Sequence, residues 1–158
     1  AKRAVGNDPF AVLLADDFII SEDKGVTSDL VSAFEKNRKI QLSIMDIFGS
    51  EISNYGVVQF NSINGNVEGL VEKPEENLAP SNSASIGRYV LTAEIFDILE
   101  NQTVGKGGEI QLADAINLLA RENKVETVKL KGHRFDCGSV KGYLSGINFV
   151  ANKLKINN

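Results

Sequence analysis

Residues Asn54–Pro74 read NYGVVQFNSINGNVEGLVEKP, and this stretch decides the fold class. Two apolar runs, Gly56–Phe60 and Val67–Glu72, are joined by a polar segment that includes Asn64-Gly65, a pair that favours hairpin turns because both residues tolerate positive φ. The second run ends in Glu72-Lys73-Pro74. Charges at the end of an apolar strand are costly unless something pairs with them. A phosphorylated sugar meets that need, its hydroxyls pairing with Glu72 and its phosphate with Lys73.

The flanking sequence alternates strand and helix signals. Phe10–Ala15 is a continuous apolar run closed by Asp16-Asp17, read as a fully buried strand with acids at its carboxyl end. Thr27–Lys39 reads as a helix capped by Thr27 or Ser28, with Leu30, Val31 and Phe34 on one face. Ile40–Ile47 is a strand and Gly49-Ser50 starts a short helical turn. Pro74–Asn82 holds two of the three prolines and is a loop. Ala84–Leu91 is the next strand. Thr92 then caps a helix with Glu94 in its first turn.

Thr103–Gly108 reads as glycine-rich loop. Ile110–Glu122 is the clearest helix, because Leu112, Ala115, Ile116 and Leu119 recur at helical spacing. Val125–Leu130 and His133–Asp136 are strands around a turn at Lys131-Gly132. Ser139–Leu154 is a closing helix with Tyr143, Ile147, Val150 and Leu154 on one face. This order predicts an α/β fold, a mixed sheet sandwiched by helices, as a single domain over residues 1–158.

Composition narrows the function classes. The 158 residues are 42% apolar and 24% charged, with a net charge of −4. No strong basic cluster is present, which argues against nucleic acid as the main partner. The longest apolar run is too short to span a bilayer, and no signal peptide opens the chain. With one cysteine there is no internal disulfide, so a cytoplasmic setting is expected.

Ligands of open α/β sheets bind beyond the carboxyl ends of strands. Asp16-Asp17, Glu72 and Asp136 all lie at such ends. Acids also sit there simply to start turns, but three strand ends together with Lys73 weigh toward a site.

These motifs resemble one family. Asn54-Tyr55-Gly56-Val57-Val58, Gly69-Leu70-Val71-Glu72-Lys73-Pro74, Ala79-Pro80-Ser81-Asn82, Gly87-Arg88-Tyr89-Val90-Leu91, Gly108-Glu109-Ile110-Gln111-Leu112 with Asp114-Ala115-Ile116, and Asp136-Cys137-Gly138 are similar in kind and order to the bacterial UTP–glucose-1-phosphate uridylyltransferases, or UDP-glucose pyrophosphorylases. The resemblance runs from about Pro9 to Phe149. It implies a nucleotidyltransferase-type, Rossmann-like fold and transfer of a uridylyl group from UTP to glucose 1-phosphate with Mg²⁺, giving UDP-glucose and pyrophosphate, in a protein that forms homo-oligomers.

Carried over residue by residue, the resemblance makes Asp16 and Asp136 the metal ligands and Glu72 the acceptor of sugar hydroxyls. Lys73 becomes the cation on the sugar phosphate. Gly56 becomes the point where backbone approaches the sugar, and Asp16 and Lys73 carry the catalysis. One tension stands: neighbouring strand residues point to opposite faces, so Glu72 and Lys73 should not share a ligand unless the strand ends or twists at Pro74.

The family's Gly-x-Gly-Thr-Arg loop for the triphosphate does not occur in these residues. The chain is therefore expected to be the carboxyl-terminal part of the enzyme, incomplete at the amino terminus of the fold. Alone, it is expected to be inactive toward UTP and prone to self-association along the Phe10–Ala15 edge. Two alternatives stay open: a transferase for another base or sugar phosphate, and a non-catalytic sugar-phosphate-binding or assembly module. The family usually has apolar residues where Ser83 and Ser85 stand, and often threonine in place of Ala113.

Several other signals are set aside. Asp17 would face away from Asp16 on a strand and reads as a turn residue or a support behind the site. Cys137 and His133 would lie roughly 13 Å apart on one strand, too far for a nucleophile and its base. Cys137 is then a small buried residue and His133 structural or exposed. Gly105-Lys106-Gly107-Gly108 lacks the Gly-Lys-Ser/Thr of a phosphate loop, and Glu109 starts the next helix. Arg88 meets either a phosphate or an acid.

Overall fold

A computed structural model describes residues 1–103, 108 and 110–155. In chain order the elements are α1 (Lys2–Val5), β1 (Phe10–Leu13), β2 (Asp17–Ser21), α2 (Val26–Asn37), β3 (Ile40–Asp46), β4 (Gly56–Phe60), β5 (Val67–Glu72), β6 (Ser83–Leu91), α3 (Glu94–Asn101), α4 (Leu112–Arg121), β7 (Val125–Lys129), β8 (Gly132–Asp136) and α5 (Val140–Lys153). Short 3₁₀ turns cover Gly49–Asn54 and Glu76–Leu78. The readings of Gly105-Lys106-Gly107 and Glu109 fall outside the described residues.

The strands form a mixed sheet in the order β5-β4-β6-β3-β7, with β1 also paired to β6, and a separate antiparallel pair of β2 and β8. β3 and β7 run parallel and the other pairings are antiparallel. The sheet is mixed and covered by helices, as the sequence predicts.

The alternation along β3 explains both layers. Ile40, Leu42 and Ile44 face α3 and α4, where they meet Ile95, Ile116 and Leu119. On the opposite face, α2 sets Leu30 and Phe34 against Ile86 and Val90. β3 is thus buried on both sides: Ser43 Oγ donates to the Ile86 carbonyl at 2.9 Å and Gln41 Nε2 to Asn37 Oδ1 at 3.1 Å, while the buried Gln41 Oε1 has no hydrogen-bond partner among the described residues.

The hairpin strands have the limits expected from the sequence. Gly56 pairs with Glu72 and Val58 with Leu70. The turn is wider than two residues. Asn61 closes it, its Oδ1 accepting from the amides of Ile63 (2.9 Å) and Asn64 (3.1 Å), with Gly65 at φ 73°. On the outer side of β5, Asn117 of α4 accepts from the Leu70 amide and donates Nδ2 to the Leu70 carbonyl at 3.0 Å.

Several sequence expectations need correction. Phe10–Leu13 is not fully buried: β1 pairs only with β6 among the described residues, and Leu13 and Leu14 are exposed. Strand β2 was not foreseen, because the acids at 16–17 read as an end while Phe18-Ile19-Ile20 continue a second, half-buried strand. Neither Thr27/Ser28 nor Thr92 caps a helix through its side chain; Ser21 Oγ accepts from the Val26 amide at 3.2 Å instead. Val31 stays exposed.

In α5 only Gly146 is buried, where it packs against Phe18 and Phe135. Tyr143, Ile147 and Val150 instead line an open apolar groove with Leu13, Leu14 and Phe18. A glycine at the contact lets the helix lie close to the small sheet, which leaves its larger side chains to one side. No described helix is long and apolar enough to cross a membrane.

Candidate active site

An open cleft of about 620 Å³ lies between the hairpin, strand β6, the start of α4 and the small sheet. Asp16, Gly56, Glu72, Lys73 and Asp136 all line it. The cleft brings together every site residue expected from the sequence, although they are spread over 121 positions, from 16 to 136.

The acidic wall comes from the ends of β1 and β8. Asp16 lies in the turn from β1 to β2, and its carbonyl accepts the Cys137 amide at 2.7 Å. That bond sets the Asp16 turn against the turn after Asp136. The two carboxylates converge on Gly138, where an added Cβ would stand 3.1 Å from both Asp136 Oδ1 and Asp16 Oδ2. Asp136 Oδ1 also accepts the Gly138 amide at 3.1 Å. Among the described residues no group of three metal-ligating side chains forms. The wall therefore offers two hard oxygen donors and room for more, a pattern that suits a cation whose remaining ligands are water and phosphate.

The opposite wall is the start of β4 and the end of β5. Gly56 stands across from Glu72, and a Cβ on residue 56 would come within 3.0 Å of Glu72 Oε2. Any larger residue would displace that carboxylate or fill the cleft. β5 ends at Glu72 and Lys73 adopts a left-handed conformation, φ 45°. This resolves the tension over adjacent side chains: residue 73 is off the strand, so the alternation no longer sends it to the far face. The Lys73 amide donates to the Tyr55 carbonyl at 3.0 Å, which holds a conformation disfavoured for a side-chain-bearing residue. Lys73 enters no ion pair among the described residues.

Of the two readings offered for Asp17, the support behind the site is the one observed, and its partner Arg134 was not marked by the sequence. Asp17 is 3% exposed. Its Oδ2 accepts the Gly87 amide, and its Oδ1 meets Arg134, whose Nε donates at 2.6 Å and whose Nη2 completes an ion pair. Both carboxylate oxygens are thus engaged, which separates Asp17 from its exposed neighbour Asp16. β6 bulges opposite Leu42/Ser43. Gly87 lies in that bulge, and a Cβ there would stand 2.6 Å from Leu14 Cβ.

Arg134 also donates Nη1 to the Tyr55 hydroxyl at 2.8 Å and lies 5.2 Å from the centre of its ring. Burial works against the Arg134 charge, yet the Asp17 carboxylate beside it holds its pKa above the ordinary value. No signal in the sequence marked this pair, because residues 17 and 134 meet only through the β2–β8 register.

Arg88 enters no ion pair with an acid among the described residues. It donates to the carbonyls of Leu14 (3.3 Å), Gly87 (2.9 Å) and Asp17 (2.9 Å). Cys137 is half-buried rather than buried. His133 is exposed and packs against the Phe149 ring in a tilted arrangement at 4.5 Å, a structural role.

Burial pushes the Tyr89 phenol above its ordinary value of 10.0, with the Asp17 and Glu72 charges adding to the effect. The folded chain then holds this proton more tightly than the unfolded chain. Stability is expected to fall as pH rises past 10.0, where the unfolded tyrosine ionises first. Urea midpoints measured below and above that pH should show the loss, and Tyr89→Phe should reduce it.

Comparisons with known proteins bear on the family and the fold. The family described as Nucleotidyl transferase matches residues 1–153. A UTP–glucose-1-phosphate uridylyltransferase of Pseudomonas aeruginosa is 42% identical over 149 residues, which cover 92% of this chain and 53% of that protein. A solved structure of apo UDP-glucose pyrophosphorylase superposes with a TM-score of 0.88 at 39% identity, over 96% of this chain and 57% of that one. Another, of UDP-glucose pyrophosphorylase complexed with UDP-glucose, gives 0.87 at 38% identity, over 96% and 59%. The chain spans about half the length of the curated relatives it matches. With the family match over nearly its whole length and these folds alongside it, the chain belongs to the nucleotidyl transferase family.

Proposed function

We propose that the protein carrying this chain transfers a uridylyl group from UTP to glucose 1-phosphate, releasing pyrophosphate. The observation that carries the reading is the single cleft with two carboxylates on one wall and Gly56, Glu72 and Lys73 on the other. The names of the relatives supply the substrates.

In this reading Glu72 accepts hydrogen bonds from sugar hydroxyls and Gly56 lets the ring lie against the backbone. Lys73 Nζ neutralises the sugar phosphate. A phosphate oxygen of glucose 1-phosphate forms a bond to the α-phosphorus of UTP as the bond from that phosphorus to the pyrophosphate oxygen breaks. No covalent enzyme intermediate is needed, so the chain's residues act by placement and charge. Asp16 and Asp136 fit a divalent cation, Mg²⁺ in this reading, which supplies charge neutralisation at the phosphates. We place residues 1–158 in one domain of a cytoplasmic protein that forms homo-oligomers; the covered sheet supports the first of these.

The test is to assay the complete gene product with glucose 1-phosphate against UTP and dTTP. Preference for UTP is expected, and a clear preference for dTTP sinks the base assignment. Asp16→Asn and Asp136→Asn should each weaken metal-dependent turnover while the melting temperature holds or rises, because neutralising one acid relieves repulsion between the two. An activity loss that merely follows a falling melting temperature would make both residues structural.

A further inference from the structure

The two walls of the cleft belong to different sheets. Asp136 rides on the β2–β8 pair, whereas Gly56 and Glu72 ride on the six-stranded sheet. Among the described residues no strand ladder joins the two sheets; Asp17, through the Gly87 amide and Arg88, ties them at β6 rather than at the hairpin. We propose that Arg134 is a positioning residue that sets the width of the cleft by tying the acid-bearing small sheet, through Tyr55, to the strand start that holds the sugar-phosphate side.

The geometry runs in one chain of contacts. Arg134 projects from β8 two residues before Asp136 and is 10% exposed at its side chain. Its guanidinium is divided between Asp17 on its own sheet and the Tyr55 hydroxyl across the gap. Tyr55 immediately precedes Gly56, and its carbonyl holds the left-handed Lys73 amide. A single side chain therefore links the position of Asp136 to the positions of both Gly56 and Lys73. Asp17 is anchored in turn to the β6 bulge through the Gly87 amide.

The guanidinium has little left to offer a ligand. The nearest further anion is Asp136 Oδ2 at 4.0 Å. Its planar fork is what the role requires, since one cation must hold an acid and a hydroxyl in fixed directions. In-line transfer between two bound phosphates is sensitive to placement, and an error of about 1 Å can cost about 100-fold in rate.

This inference rests on the transferase reading for its consequence but not for the tie itself, so two measurements are paired. The first is amide hydrogen exchange on the complete gene product, comparing wild type, Arg134→Lys and Tyr55→Phe. Lysine keeps the charge beside Asp17 and loses the fork; phenylalanine keeps the ring and loses the hydroxyl. Each variant should speed exchange at the Lys73 amide by about tenfold, with Leu42 in the core unchanged.

The second is steady-state kinetics on the complete gene product. Each variant should lower kcat by about tenfold with KM for both substrates nearly unchanged, and the double variant should fall no further, because both changes cut one link. Unaltered Lys73 exchange, additive rate losses, or losses confined to KM would overturn the proposal. If exchange responds as expected but the wild-type product makes no UDP-glucose, the tie stands and the uridylyl reading falls.

Discussion

Lys73→Ala in the complete gene product should lower kcat by at least about 100-fold, roughly 3 kcal/mol in the barrier. Of the two cations that line the cleft among the described residues, Arg134 is committed to Asp17 and Tyr55, and Lys73 enters no ion pair there. Removing it leaves the sugar phosphate unneutralised as it approaches a second, more highly charged phosphate chain. Lys73→Arg should restore only part of the rate, since a planar fork on a left-handed residue does not place its charge where an ammonium does. The folded state should barely change, because the side chain is exposed. Rates at saturating substrate within a factor of about two of wild type would remove Lys73 from the chemistry.

The largest effect on stability is expected at Asp17. Asp17→Ala leaves the Arg134 guanidinium buried without its carboxylate and deprives the Gly87 amide of its acceptor. Breaking a buried pair from one side costs about 3–5 kcal/mol, because the remaining charge is uncompensated. Urea unfolding of the wild-type and variant chains measures it. A loss below about 1 kcal/mol would place the pair with exposed ion pairs of little worth. Asp17→Ala/Arg134→Met should recover part of the loss, since it removes both charges and leaves an unbranched apolar side chain in the arginine's place.

The sequence revealed the elements whose patterns are local. The hairpin strands, β3 and α4 follow from alternation, β-branched runs and helical spacing, and their observed limits lie within a residue or two of the expected ones. The five cleft residues were legible because the motifs that carry them resemble those of a family, and the structure gathers them in one place.

What stayed hidden depends on long-range geometry. Phe18-Ile19-Ile20 is a strand only because Phe135, Arg134 and His133 pair with it. Arg134 looks like an ordinary surface charge, and Asp17 has no evident partner, until that pairing buries them together. The left-handed turn at Lys73 was hinted at by Pro74, but its direction is set by the Tyr55 carbonyl. Helix α5 carries an apolar face at helical spacing, and spacing alone does not say which part of that face the small sheet covers.

Asn117 has a bearing on how the protein behaves at high concentration. β5 is the outer strand of its side of the sheet. The Asn117 amide presents to Leu70 one acceptor and one donor, as the peptide group of an incoming strand would. The residue thus serves as a dummy peptide, occupying the place where a foreign chain would begin to add. Asn117→Leu keeps the bulk on α4 but reopens that place, and light scattering during storage should then rise before any change in the folded spectrum. A helix side chain, more than the strand's own sequence, is what keeps this edge from recruiting other strands.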